Sequence, residues 1–92
     1  MRRSVHVIVS GRVQGVGFRA FVVERAGTLG LDGWVRNRRD GTVEAVFAGV
    51  EQEVQYMLME LNAGPPAAEV LDVRTSPHDG PIPRGFTSLP TV

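Results

Sequence analysis

The stretch Asp32–Gly49, DGWVRNRRDGTVEAVFAG, decides the fold. Two β-rich runs, DGWVRN and TVEAVFAG, flank RRDG, and Asp40-Gly41 is a strong short-range signal for a hairpin turn. A chain that reverses there pairs the two runs antiparallel. Upstream, FRAFVVERAGTLGL sets Phe18, Phe21, Val22, Arg25 and Leu29 at helical spacing, and Gly27 and Thr28 weaken the last turn by roughly 1 kcal/mol, which predicts fraying there. Before that helix, SVHVIVSG alternates, with Val5, Val7 and Val9 on one face and His6, Ile8 and Ser10 on the other, the period of a half-buried strand.

Downstream, VEQEVQYMLMELNAG repeats apolar residues at Val50, Val54, Met57, Leu58 and Leu61 until Asn62 or Gly64, followed by Pro65-Pro66, ends a second helix. AAEVLDVRTS has the composition of a fourth strand, PHDGPIPRG is turn-rich, and FTSLPTV offers a short edge strand limited by Pro90. The predicted order is β-α-β-β-α-β. This is the ferredoxin-like α+β sandwich, an antiparallel sheet whose right-handed crossovers place both helices on one face. Residues 1–92 are expected to form a single domain.

Composition removes several kinds of chemistry. There is no cysteine, so disulfides, thiolate nucleophiles and cysteine-bound metals are excluded, and a reducing cytoplasm is the expected compartment. All ten basic residues are arginines, which excludes Schiff-base chemistry and phosphate loops built on a lysine. No apolar run approaches the ~20 residues of a membrane-spanning helix. The start MRRSVHVIVSG is basic and then apolar, but His6 and Ser10 interrupt it too early for a signal peptide. Residues 1–46 hold eight arginines against Glu24, Asp32, Asp40 and Glu44, whereas residues 47–92 hold two arginines against six acids. Anion-seeking chemistry therefore belongs to the first half.

That half contains GRVQGVGFRAF, Gly11–Phe21, with three glycines in seven residues and an arginine behind them. Gly15-x-Gly17-x-x-Ala20 formally matches a dinucleotide fingerprint. That motif requires a parallel sheet and an acid about 20 residues on, at the end of a second parallel strand, whereas here the next strand enters a hairpin. Two readings remain. In one, the turn aims backbone N–H groups inward at the helix N-terminus as an anion cradle, and Arg19, unfavourable so near the positive end of the helix dipole, grips the anion. In the other, the glycines only permit positive φ angles and the arginine is solvated. Asn37, between Arg36 and Arg38 beside the hairpin turn, is likewise either a turn-former or a carboxamide facing the cradle.

GRVQGVGFR followed, after a helix, by GWVRNRRDGTVE resembles the paired signatures of the acylphosphatases, small ferredoxin-like enzymes that hydrolyse the carboxyl–phosphate bond of acyl phosphates. The resemblance runs from about Val5 to Val73 and includes GPPAAEV after the second helix. It implies a phosphate-binding role for Arg19 and a water-orienting role for Asn37. It also implies backbone donors from the loop Gly11 to Phe18, with Gln14, Gly15, Val16 and Gly17 nearest the phosphate. The implied enzyme is an acid-anhydride hydrolase acting on small acyl phosphates and releasing inorganic phosphate, without cofactor or metal, as a cytoplasmic monomer with no nucleic-acid or membrane partner. Such chemistry suits a site without acid–base pairs, because the leaving carboxylate is already stable as an anion.

The remaining polar residues have plainer readings. Arg36, Arg38 and Arg39 are expected to be solvated, with a steering role. His6 reads as a strand residue, His78 as a turn residue, and Glu24 and Glu44 as solvated faces of a helix and a strand. Two other functions stay open. An acylphosphatase-like domain also stands at the front of a large maturation protein that makes carbamoyl-derived ligands for hydrogenases, so a binding module is one alternative. Nucleic-acid binding is the other, and it needs exposed aromatics on the sheet, where strand one offers only His6, Ile8 and Ser10 and Phe47 alternates into the core.

Overall fold

A computed structural model describes residues 1–92. Its elements are β1 (Arg2–Arg12), α1 (Phe18–Thr28), β2 (Asp32–Asn37), β3 (Val43–Val50), α2 (Glu51–Ala63), β4 (Glu69–Pro77) and β5 (Phe86–Ser88). The reversal at Asp40-Gly41 is made by a three-residue loop. Arg38 N–H donates to Thr42 O at 2.9 Å, Gly41 N–H donates to Arg38 O at 3.1 Å, and Gly41 has φ 93°. A two-residue primed turn would force Asp40 to positive φ, which no residue other than glycine adopts in this chain. The extra residue leaves the strands in a register that pairs Asn37 with Val43 and Arg36 with Glu44.

The sheet order is β4-β1-β3-β2-β5. β1 pairs antiparallel with both β3 and β4, and β2 antiparallel with β3, as the ferredoxin-like order requires. The expectation of a wholly antiparallel sheet fails at one edge, where β5 runs parallel to β2, Gly33 opposite Phe86 and Val35 opposite Ser88. The reason is directional. The chain reverses once after β4, so it returns in the direction of β1, which is also that of β2. Beyond β5 the tail stays beside β2: Leu89 N–H donates to Val35 O at 2.8 Å and Val92 N–H to Asn37 O at 3.1 Å, with Pro90 breaking the regular ladder between them.

The core lies between one face of the sheet and both helices. Val5, Val7 and Val9 meet Val43, Ala45 and Phe47 there, covered by Phe18, Val22 and Ala26 of α1 and by Val54, Met57 and Leu61 of α2. Each large side chain so buried contributes about 1.5–3 kcal/mol. In α1 the buried stripe is thus 18/22/26. Arg25 is exposed, its guanidinium 5.3 Å from the Phe21 ring and 3.7 Å from Glu60 of α2. In the second helix Val54, Met57 and Leu61 are buried as the spacing predicts, whereas Val50 ends β3 and is exposed.

The helix-free face of the sheet carries a polar network that corrects two readings. Glu44 accepts a hydrogen bond from Arg36 Nε at 2.8 Å on one oxygen, and its other oxygen lies 2.6 Å from His6 Nε2. The Arg36 guanidinium lies 4.6 Å from the Trp34 ring centroid. With 12% of its side chain exposed, Glu44 is not a solvated strand residue, and Arg36 is not a free steering charge. Direct cross-strand pairing brings these two together, as it brings other opposite charges together across a sheet. Burial pushes the Glu44 carboxyl pKa up, but the hydrogen bonds from His6 and Arg36 and their charges outweigh it, so the pKa lies below the ordinary glutamate value.

Candidate active site

The glycine loop spans five residues, Val13–Gly17, between β1 and α1. Both of its ends are fixed in the core, Val13 at 1% and Phe18 at 2% exposure. Between them the backbone takes left-handed conformations at Gly15 (φ 73°) and Gly17 (φ 80°), where a side chain would cost about 1–2 kcal/mol. Gly17 caps α1 without any side-chain hydrogen bond, and the first turn holds no acid. The first helical bond is Phe21 N–H to Gly17 O, at 3.1 Å. The N–H groups of Phe18, Arg19 and Ala20 therefore have no acceptor within the helix and no capping side chain, and the positive end of the helix dipole stands open.

A second element reaches the loop through Gln14. Its Nε2 donates to Arg38 O at 2.7 Å and to Thr42 O at 2.9 Å, the same two residues that close the β2–β3 hairpin. The loop is thereby tied to the hairpin base, one residue beyond Asn37. Inside that hairpin, hydrogen bonds from the Thr42 hydroxyl and N–H, with the Arg38 charge behind them, hold the Asp40 carboxyl below its ordinary pKa.

A cleft of about 600 Å³ opens where loop, helix and hairpin meet. It brings together Gly15, Gly17, Phe18 and Arg19 with Asn37. The other predicted residues fall elsewhere. Gly11 lies within β1 at a bulge opposite Val70, where a side chain would strike Glu69 O at 2.2 Å. Val16 packs against the core, and the Gln14 carboxamide serves the hairpin. Residues that the sequence reading left out of the site also line the cleft: Ala20, Val23 and Glu24 from α1 and Ser88 from β5. Glu24 thus stands at the wall of the cleft. Its i, i+4 spacing from Ala20 was the only signal that could have found it.

The electrostatics of the cleft are lopsided. Arg2, Arg25, Arg36, Arg38 and Arg74 each lie within 4.0 Å of a carboxylate; Arg3, Arg12, Arg19, Arg39 and Arg84 do not, and of these only Arg19 lines the cleft. No group of three or more His, Asp or Glu side chains gathers to hold a metal ion. The chemistry on offer is anion binding by backbone amides and a guanidinium, beside a carboxamide able to hold a water.

A sequence model of the acylphosphatase family matches residues 5–88. The chain belongs to the acylphosphatase family. An acylphosphatase from Rhodospirillum rubrum is 49% identical over 90 residues, which are 98% of this chain and 99% of that one. The crystal structure of acylphosphatase from Bacillus subtilis superposes with a TM-score of 0.89 at 37% identity, covering 97% of this chain and 99% of that one. The same domain shape recurs in the HypF protein of T. kodakarensis, with a TM-score of 0.81 at 31% identity, covering 100% of this chain but only 12% of that larger one. Acylphosphatase membership fixes the reaction class as hydrolysis of an acid anhydride and the fold as ferredoxin-like. No helix is long and apolar enough to cross a membrane.

Proposed function

We propose the following division of labour for the hydrolysis of small acyl phosphates by this chain. Backbone N–H groups of the Gln14–Phe18 segment and the Arg19 guanidinium hold the phosphoryl group, and the Asn37 carboxamide orients a water in line with the bond to be broken. The water oxygen bonds to phosphorus, and the phosphorus–oxygen bond to the acyl group breaks with its electron pair leaving as carboxylate. The proton of the water passes to a phosphoryl oxygen. Carboxylate and inorganic phosphate result, and no group of the protein need change its protonation state. Arginine and amides neutralise phosphoryl charge as it redistributes, which is the main catalytic task in such a transfer.

The observation that carries this reading is the meeting of Arg19, whose charge has no partner in the protein, with Asn37 from another element in one cleft lined by the left-handed glycines. Hydrolysis of benzoyl phosphate tests it. Arg19→Ala is expected to lose substrate binding and turnover together, by about 10³-fold or more in kcat/KM. Asn37→Ala is expected to lose on the order of 10² to 10³ in kcat while inorganic phosphate still inhibits. Unchanged phosphate binding in Arg19→Ala would overturn the assignment. The same reading takes residues 1–92 as one domain working as a cytoplasmic monomer, without nucleic-acid or membrane partners. Sedimentation of a dimer would count against that part.

A further inference from the structure

Besides Arg19, the cleft is lined by one carboxylate that has no ion-pair partner. Past Arg19 on α1, Ala20 and Val23 present apolar surface, and Glu24 follows. Glu24 is five residues beyond Arg19, or about 7.5 Å further along the helix axis. The other acids of the first half are all paired: Asp32 with Arg2 at 3.7 Å, Asp40 with Arg38 at 3.9 Å, and Glu44 with Arg36 at 2.8 Å. Glu24 alone of the four has no cation beside it, so its field acts on whatever occupies the cleft.

We propose that Glu24 is a specificity-determining residue that turns the enzyme against acyl phosphates whose acyl chain ends in a carboxylate and favours those with short, uncharged chains. The inference rests on the phosphoryl group lying against the loop and Arg19, as above. Ala20 and Val23 form the apolar lining between Arg19 and Glu24, and the inference has the acyl group of a phosphate so held lie over them. A chain of diacid length then brings its far carboxylate to Glu24. Two like charges about 7 Å apart in a largely aqueous setting repel enough to lower kcat/KM about threefold to tenfold. An uncharged chain of equal length escapes that repulsion. Repulsion of the phosphoryl group itself is common to both substrates and cancels in their ratio.

The test compares succinyl phosphate with butyryl phosphate, which match in chain length and differ by one carboxylate, on the wild type, Glu24→Gln and Glu24→Lys. At low salt the succinyl-to-butyryl ratio of kcat/KM is expected to rise about threefold to tenfold in Glu24→Gln and further in Glu24→Lys. In 1 M NaCl, where the screening length falls to about 3 Å, the three ratios converge. An identical ratio in all three proteins at low salt overturns the role of Glu24 and leaves the proposed site standing, provided that butyryl phosphate hydrolysis still requires Arg19. Normal butyryl phosphate hydrolysis by Arg19→Ala removes instead the site on which the inference rests.

Discussion

Arg19 and Arg36 carry the same charge on opposite sides of the sheet, and the protein holds them in opposite ways. Arg36 donates to Glu44 at 2.8 Å and lies over the Trp34 ring, and its carboxylate partner is nearly enclosed. Arg19 sits at the opening of α1 with neither a carboxylate nor a capping side chain for company. Arg3, Arg12 and Arg39 of the first half also lack a carboxylate partner but lie outside the cleft, so the contrast that matters is between two arginines at structured positions. One is satisfied by the fold and stabilises it. The other is left for a ligand, at a helix end where its own charge is mildly unfavourable until an anion arrives.

The sharpest way to break this contrast is to remove each side chain and measure both properties. Arg19→Ala should lower kcat/KM for benzoyl phosphate about 10³-fold while its unfolding free energy in urea stays within about 0.5 kcal/mol of the wild type, because no ion pair or side-chain hydrogen bond of the folded state is lost. A strongly destabilised Arg19→Ala would mean that the guanidinium has a structural partner after all. Next in size is Gln14, which joins the two halves of the site. Val13 and Phe18 still anchor the loop in Gln14→Ala, so phosphate inhibition should persist while kcat falls about ten- to hundredfold, as expected when a water-orienting group drifts by an ångström. An unaltered kcat would show that the loop and Asn37 keep their spacing without the clamp.

Arg36→Ala should do the reverse of Arg19→Ala. Its loss deprives a partly enclosed carboxylate of a charged hydrogen bond, worth about 1–2 kcal/mol of unfolding free energy, with kcat within about twofold of wild type. A large kcat defect at full stability would place Arg36 with Arg19 and erase the distinction.

Why one arginine was legible in the sequence and the other was not comes down to range. The alternation of Val5, Val7 and Val9 and the Asp40-Gly41 reversal announced the sheet, because both signals are local. The same reversal sets Arg36 opposite Glu44, so their pairing was within reach once a three-residue loop is allowed. His6 joins them from β1, 38 residues before Glu44, and nothing local announces that contact. Arg19 and Asn37 stood out through their motifs, and the cleft brings them together. Glu24 and Ser88 did not stand out, since their place in the cleft depends on how α1 and β5 sit beside β2. The face of α1 was only partly legible for a related reason. Phe18 and Val22 are buried and Phe21 and Leu29 pack against the core, but Arg25 is exposed and Ala26 completes the buried stripe. Phe18, Phe21, Val22, Val23, Ala26 and Leu29 surround the helix, so periodicity alone chooses no face, and packing against the sheet selects 18/22/26.

The smallest expected effect tests whether the Arg36 side of the comparison is electrostatic. The Glu44 pKa is lower in the folded chain than its ordinary value of 4.5, because its bonds to His6 and Arg36 favour the ionised form more than burial disfavours it. A carboxyl depressed by folding binds its proton more readily in the unfolded chain. Its contribution to stability is therefore fully present above pH 4.5 and is lost as pH falls through the lower, folded value. Urea unfolding of the wild type and Glu44→Gln should show the wild type ahead at pH 7 and the gap closing as pH drops below 4.5. Gln keeps the shape and an acceptor but not the charge, so a gap independent of pH would mean that shape and hydrogen bonding alone hold the network. In that case the difference between Arg36 and Arg19 would be one of packing, and the partnerless charge of Arg19 would no longer be what sets it apart.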